Sequence, residues 1–414
     1  MSYPRVVVTG LGAVTPVGIN VDDFWKSLLA GKSGVGTITT FDPHQFTARI
    51  AGEVKNYDPK NSIPLKESRR MEKFCQYGVT AAIEAFKDSG IDMSKEDPFE
   101  AGVLIGSGIG SLRIVEETHS LYLEKGPEKF SPFMIPLLII NMASGWTSIL
   151  LGLKGPNLAV VTACATGTHA IGEAFRIIQH EQAKIMVAGG TESCITPLGI
   201  GGFCALKALS TRNEDPEGAS RPFDKERDGF VMGEGAGVVV LEELDHAKAR
   251  GAKIYGEVAG YGLNGDAYHM TAPRPDGEGA ARCMSLALKD AKMTPGEIQY
   301  INAHGTSTDL NDKIETLAIK RVFGEDAKKV QISSTKSMTG HTLGTAGGIE
   351  FIACALSLRD QVLHPTINLT HPDPECDLDY IPKTARKTKV EACLSNSLGF
   401  GGHNTSIIVK KFTR

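Results

Sequence analysis

The sequence predicts a layered α/β fold, and three observations carry that expectation. Short β-branched runs bounded by glycine recur along the chain, alanine-rich amphipathic segments separate them, and the same alternation starts again near residue 254. Strands that alternate with helices bury their apolar faces as sheets covered by helical layers.

The first set of runs covers residues 5–9, 102–105, 158–162, 185–188 and 238–241, short apolar stretches that read as buried strands. Between them, residues 77–89 and 170–179 return apolar side chains at three- and four-residue steps, as a helix with one buried face does. The second set covers residues 254–261, 298–303, 330–333, 392–395 and 406–409. Both sets share a local pattern in which a strand ends in Thr or Ser, a polar loop follows, and a helix of Gly and Ala comes next. Residues 160–175 and 332–355 are the clearest pair. Small side chains allow close approach to a sheet or another helix, so both of these helices belong at the centre. The expected organisation is two similar halves, residues 1–252 and 253–414. Segments 210–228 and 371–389 are loops too short and too mixed in composition to be disordered linkers.

A chain of 414 residues exceeds the usual single core. Its 41% hydrophobic content and formal net charge of -4 describe a globular protein with no polycationic surface for nucleic acid. The 8 cysteines include no CxxC pair, which indicates a reducing compartment and a cytoplasmic location. The N-terminus runs straight from Tyr3 and Pro4 into an apolar strand, so no secretory leader is expected. Residues 132–153 are apolar, but Pro136, Asn141, Ser144, Gly145 and Ser148 interrupt them. A membrane span needs roughly 20 nearly uninterrupted apolar residues, so this stretch is expected to be a buried, partly helical core segment.

Four segments carry the candidate chemistry. In LAVVTACATGTHAIG a strand delivers Cys164 to a turn that opens a helix. A thiol at a helix N-terminus is favoured as thiolate by exposed N–H groups and the helix dipole. The competing reading is a buried structural cysteine. In YINAHGTSTDLND a strand ends before His304 and a hydroxyl-rich loop, a common catalytic position in α/β proteins, with a surface-capping histidine as the alternative. SSTKSMTGHTLGTAGG puts Lys336 and His341 before a small-residue helix on which Glu350 follows. An acid among Gly, Ala and Ile is costly unless paired, so Glu350 is expected to hold Lys336 or a backbone turn. In LSNSLGFGGHN, Phe400 stands between glycines whose freedom lets N–H groups approach a ligand oxygen, or which form a tight structural turn. Together these supply a thiol, two imidazoles, a lysine and a mobile aromatic at loop junctions.

With these four motifs, in this order and over nearly the whole chain, the sequence resembles the β-ketoacyl-acyl carrier protein synthases of the thiolase fold, closest to the elongating type II branch. The resemblance implies a five-layered αβαβα fold and a homodimer with the Cys164 strand near the subunit contact. It also implies that Cys164 becomes acylated and that the N–H groups of Cys164 and Phe400 form the oxyanion hole. His304 and His341 would donate hydrogen bonds to the malonyl thioester oxygen while decarboxylation generates an enolate. Lys336 would orient or polarise that pair. Thr306 and Thr308 would hold the phosphopantetheine arm of acyl carrier protein, and Ile109 and Phe203 would contact substrate. Asn302, Glu350, Ser395 and Asn396 match a structural monovalent or divalent cation site, with no redox cofactor and no catalytic metal required. Lys66, Arg69, Arg70 and Lys207 match the docking region for the acidic carrier, although an ordinary solvated charge run would look the same.

The alternatives are a polyketide-type ketosynthase and, in a different class, a Cys-His-His zinc hydrolase using Cys164, His304 and His341. A Cys-His-Asn synthase would lack His341 as a second imidazole. A thiolase would need a second cysteine where Phe400 stands, and a chain-length factor would lack Cys164. Two departures from the family pattern are Thr345, which either narrows the acyl or malonyl site or, as the simpler reading, caps the next helix with its hydroxyl, and Cys204 near the acyl channel. Ile109 in GSGIG favours type II over type I.

Overall fold

The computed structural model describes residues 3–413. The expectation of a leaderless start rests partly on Met1 and Ser2, which lie outside the described residues. Ten strands build the main sheet: β1 (Val6–Val14), β2 (Ala101–Gly106), β3 (Asn157–Leu158), β4 (Ile185–Glu192), β5 (Gly235–Glu243), β6 (Gly256–Gly265), β7 (Tyr300–Asn302), β8 (Gln331–Ser333), β9 (Ala392–Gly399) and β10 (His403–Lys410). Six helices cover it: α1 (Lys73–Ser89), α2 (Met142–Leu151), α3 (Thr166–Gln179), α4 (Glu278–Ala291), α5 (Asp309–Phe323) and α6 (Ala346–Asp360).

Strand order is β3-β2-β4-β5-β1 in one half and β8-β7-β9-β10-β6 in the other, the same pattern twice. In each, the two outer pairings are parallel and the two nearer the join are antiparallel. The halves join where Val6–Val8 of β1 pair antiparallel with residues 256–258 of β6. Along β5, Val238 and Val240 face a core made with α1, whereas Val239 and Leu241 face the central core made with α3 and α6. In the second half, Leu394 and Ile408 face α4 and α5. Cys393, Ile407 and Val409 face the centre. This alternation is the two-residue period of strands buried on both faces, and it produces the five layers expected.

Glycine decides how close the central layer sits. A methyl on Gly348 would lie 2.2 Å from the Gly237 carbonyl oxygen, and one on Gly167 2.8 Å from the Gly348 amide nitrogen. Neither sheet and helix nor helix and helix could approach so closely with a larger residue.

Two expectations need correction. Only residue 158 of the 158–162 run is strand, as the end of Asn157–Leu158, and Leu158 and Val161 are 39% and 51% exposed. As the edge strand, β3 has no outer partner to extend the ladder, and the chain turns inward when the Thr162 N–H donates to Thr166 Oγ1. Segment 132–153 is partly helical but buried on one face only: Ala143, Ser144 and Thr147 are buried, whereas Phe133, Ile135 and Ile149 are exposed. Among the described residues no helix is long and apolar enough to cross a membrane.

Candidate active site

Cys164 lies in a single 3-10 turn, Ala163–Ala165, that leads into α3. Ala163 before it adopts φ +50, and at the matching place in the other half Leu343, before α6, also has φ +50. A non-glycine residue in this left-handed region costs about 1–2 kcal/mol. The bend presents Cys164 to the cavity in one half and the Leu343 amide to His341 in the other.

A cavity of about 400 Å³ is lined by Cys164, His304, His341, Phe203, Phe230, Phe400, Thr306, Thr308 and, toward the surface, Lys207. His304 follows β7, His341 follows the loop after β8, and Phe400 caps the turn between β9 and β10. The three chemical side chains named from separate motifs therefore face one space. The imidazole centroids are 5.3 Å apart at an interplanar angle of 87°.

Their tautomers follow from their neighbours. The Leu343 N–H donates to Nδ1 of His341 over 3.3 Å, and Lys336 Nζ donates to Nδ1 of His304 over 3.4 Å. With Nδ1 accepting, each ring carries its proton on Nε2. Burial, then the charge of Lys336, pulls both imidazoles well below their ordinary value, so both are neutral donors. Lys336 is fully buried behind His304 and paired with Glu350, whose carboxyl burial pushes up and Lys336 pulls down. Glu350 thus holds Lys336, one of the two roles its apolar neighbours implied.

The thiol differs from the thiolate expected at a helix N-terminus. Burial pushes Cys164 up to about 12, against the pull of Lys336 and of the N–H groups of Phe400 and Cys164 itself. Desolvation outweighs these favourable contacts, so the resting group is a thiol. The same two N–H groups would face an oxygen on a carbon bonded to that sulfur.

Several contributors escaped sequence reasoning. Glu192 ends the apolar β4 and is fully buried. It accepts from Ser107 Oγ and from the amides of Gly108, Ile109 and Gly344, tying the Ile109 loop to the one after His341. Glu315, pushed up to about 7 by burial, accepts from the amides of His304 and Gly305. The signal for both is a carboxylate on an otherwise apolar buried face. Phe230 stands edge-on to His341 and to Phe203, with ring centroids 5.3 Å away in each case. Nothing in the local sequence distinguished it.

The remaining named residues divide. Thr306 and Thr308 line the cavity with their hydroxyls 2.9 Å apart. Ile109 and Cys204 are half-buried against the apolar cluster around Cys164 rather than in the cavity lining. Lys66, Arg69 and Arg70 are exposed outside that lining, and the Arg70 guanidinium lies 5.4 Å from the Phe133 ring centroid. The Thr345 hydroxyl donates to the Gly235 carbonyl and caps no helix, because the tight turn before α6 aims it at β5.

The cation set is three-quarters coherent. Asn302 Oδ1, Glu350 Oε2 and Ser395 Oγ are buried with no hydrogen-bond partner. Asn302 and Ser395 are register partners on β7 and β9, under α6. Unpartnered buried oxygens are costly, and such a set fits a hard cation. Asn396 points to the opposite face, where its amide donates to Glu315 and its oxygen accepts from Ser406, because neighbouring strand residues alternate. The zinc arrangement is not formed: among the described residues the one set of three such ligand atoms within 4.8 Å is Asp224, Glu226 and His371.

The profile described as beta-ketoacyl synthase, N-terminal domain, matches residues 4–247, and the beta-ketoacyl synthase, C-terminal domain, matches residues 255–370. The chain belongs to the beta-ketoacyl synthase family. Among its relatives in that family, the 3-oxoacyl-[acyl-carrier-protein] synthase 2 of Synechocystis sp. is 54% identical over 408 residues, 99% of this chain and 98% of that protein. The enzyme of the same name from Coxiella burnetii is 53% identical over 411 residues, 99% of each. A solved beta-ketoacyl synthase from Burkholderia phymatum superposes with a TM-score of 0.91 at 38% identity, covering 99% of this chain and 100% of that one. A type II PKS ketosynthase solved in complex with its acyl-carrier protein gives the same TM-score, identity and coverage.

Proposed function

We propose that this chain is a 3-oxoacyl-[acyl-carrier-protein] synthase of fatty-acid elongation, an acyltransferase that condenses a Cys164-bound acyl chain with malonyl-carrier. The observation that carries the reading is the shared cavity, in which one thiol faces two neutral imidazoles that both donate from Nε2.

In the first half-reaction, Cys164 sulfur attacks the acyl-carrier thioester carbon. The bond to the carrier sulfur breaks, and the carrier thiol regains the proton that Cys164 loses. Charge on the tetrahedral oxygen is met by the amides of Cys164 and Phe400. In the second, His304 and His341 donate to the malonyl thioester oxygen. The bond to the carboxylate breaks, carbon dioxide leaves, and its electron pair becomes a hydrogen-bonded enolate. The enolate carbon attacks the acyl carbonyl, the bond to Cys164 sulfur breaks, and the thiolate takes a proton from solvent. Neutral donors suit this step because they bind the enolate oxygen more strongly than the ground-state carbonyl. A cation in the Asn302, Glu350 and Ser395 cradle would supply counter-charge to Glu350.

Acyl carrier protein is the macromolecular substrate, received at Lys66, Arg69, Arg70 and Lys207, with the phosphopantetheine arm passing Thr306 and Thr308. Two copies form a homodimer, a reading supported by the unpaired edge of β3 and by the exposed apolar side chains of Leu158 and Val161 beside it. The enzyme works in the cytoplasm. The two halves correspond to residues 1–252 and 253–414.

Intact-mass measurement after incubation with long-chain acyl-carrier tests the reading. One acyl adduct, absent in Cys164→Ser, is expected, followed by a single two-carbon extension on adding malonyl-carrier. Repeated unreduced extension would instead support the polyketide-type reading, which the 38% identical ketosynthase favours less than the 54% identical relative favours elongation. No adduct at all would remove both.

A further inference from the structure

Arg227 stands three residues before Phe230, in the loop that closes one side of the cavity, with its side chain 1% exposed. Its guanidinium bonds are spent mostly on main-chain oxygen. Nε donates to the Thr308 carbonyl over 2.9 Å, Nη2 to the Asp309 carbonyl over 2.9 Å, and Nη1 to the Asp224 carbonyl over 2.7 Å. The direct carboxylate contact is Asp373 Oδ2 at 2.8 Å, and Asp312 lies 3.7 Å away. A rigid fork of donors directed at three carbonyls fixes the shape of a loop, a task a point charge does poorly.

The loop it grips has an unusual backbone, with φ +38 at Gly305 and +69 at Ser307. It is held at its start by Glu315 on the amides of His304 and Gly305, and in its middle by the Gly229 amide on the Ser307 carbonyl. Arg227 holds the far end, directly beyond the two threonines whose hydroxyls face the cavity. Releasing that end frees Thr306 and Thr308 while Glu315 still anchors His304.

We infer that Arg227 is a positioning residue for substrate recognition: by gripping the carbonyls of Thr308 and Asp309 it sets the hydroxyl pair of Thr306 and Thr308 for the carrier's arm, without touching substrate. The inference rests on the proposed passage of that arm along these threonines.

The test compares two substrates on Arg227→Lys in the full-length enzyme, with the melting temperature confirming that it folds. One substrate is malonyl-carrier; the other is malonyl methyl thioester, which has no arm. The expected result is a KM for malonyl-carrier raised about tenfold, the loss of roughly one good hydrogen bond, with kcat little changed and the methyl thioester unaffected. Equal losses on both substrates, or no change in either, would overturn the role. Thr306→Ala with Thr308→Ala separates the two failures. If that pair leaves the carrier KM unchanged, the arm does not pass here; if it raises KM while Arg227→Lys does not, Arg227 alone is misassigned. Should Arg227→Lys not fold, Asp373→Asn removes its carboxylate partner and must give a smaller selective rise in the same KM, and no rise overturns the inference.

Discussion

Lys336 Nζ donates to Nδ1 of His304 over 3.4 Å while it is paired with Glu350, so one buried ammonium both sets an imidazole's tautomer and neutralises an acid. Removing it therefore does two separable things. It frees the His304 ring to carry its proton on Nδ1, and it leaves a carboxylate alone in the core.

Lys336→Met is expected to lose both stability and decarboxylation. Breaking a buried pair by deleting one partner costs about 3–5 kcal/mol. Adding Glu350→Met should recover most of the stability, because two apolar side chains need no counter-charge, yet leave malonyl decarboxylation low. Urea unfolding and carbon dioxide release, measured on both variants, check this. Recovery of activity with stability would show that Lys336 acts on the fold alone.

His304→Ala and His341→Ala should keep acyl transfer to Cys164 and lose decarboxylation. Each deletes one donor to the developing enolate, a loss of about 100- to 1,000-fold for a well-placed donor. Intact mass reads the first step and carbon dioxide release the second. A variant that loses acylation to the same degree would place that histidine in the first step as well.

Alkylation of Cys164 by iodoacetamide should slow in the Lys336→Met variant at any fixed pH. Lys336 is the largest influence pulling the thiol down against burial, so its removal lowers the thiolate fraction further. An unchanged rate after correction for folding would mean that the ammonium does not act on the sulfur.

His364 gives a pH-dependent stability with a defined sign. Its Nδ1 donates to the Pro365 carbonyl, and Nε2 accepts from the hydroxyls of Tyr300 and Thr335. Burial pulls this imidazole below its ordinary range, down to about 4. The folded state stays neutral while the unfolded chain binds a proton, so stability is present above pH 6.5 and is lost as pH falls toward 4. The loss is at most about 1.4 kcal/mol per pH unit from this group. The difference in unfolding free energy between the parent and His364→Gln should shrink between pH 7 and 5; a constant difference would contradict it.

Charge reversal at Arg69 should raise KM for malonyl-carrier more at low than at high salt, since exposed charges are screened within a Debye length of about 10 Å at 0.1 M. Arg70 is held over Phe133, so reversal there should also lower the melting temperature slightly. A KM unchanged at low salt removes this docking surface.

The strands, the two central helices and the four motifs were legible because each is a local pattern of residue types. Gly167, Gly347 and Gly348 announce close packing wherever the chain runs, and His304 announces itself by ending a strand beside hydroxyls. Residues 158–162 look like a longer strand than β3 is, because they are apolar for a surface, not for a core. Glu192 and Glu315 were passed over because their partners are amides far along the chain, which no spacing reveals.

By itself the chain of residues determined the α/β layering and the repeat of one plan in two halves, and it marked Cys164, His304 and His341 as candidates, since these depend on short-range periodicity and side-chain chemistry. Only the tertiary structure decided that Cys164, His304 and His341 share one cavity, which nitrogen of each ring holds the proton, and that the sulfur rests as a thiol. Those outcomes depend on desolvation and on donors brought from distant segments, and both exist only once the two halves of the sheet have closed around the glycine-packed helices.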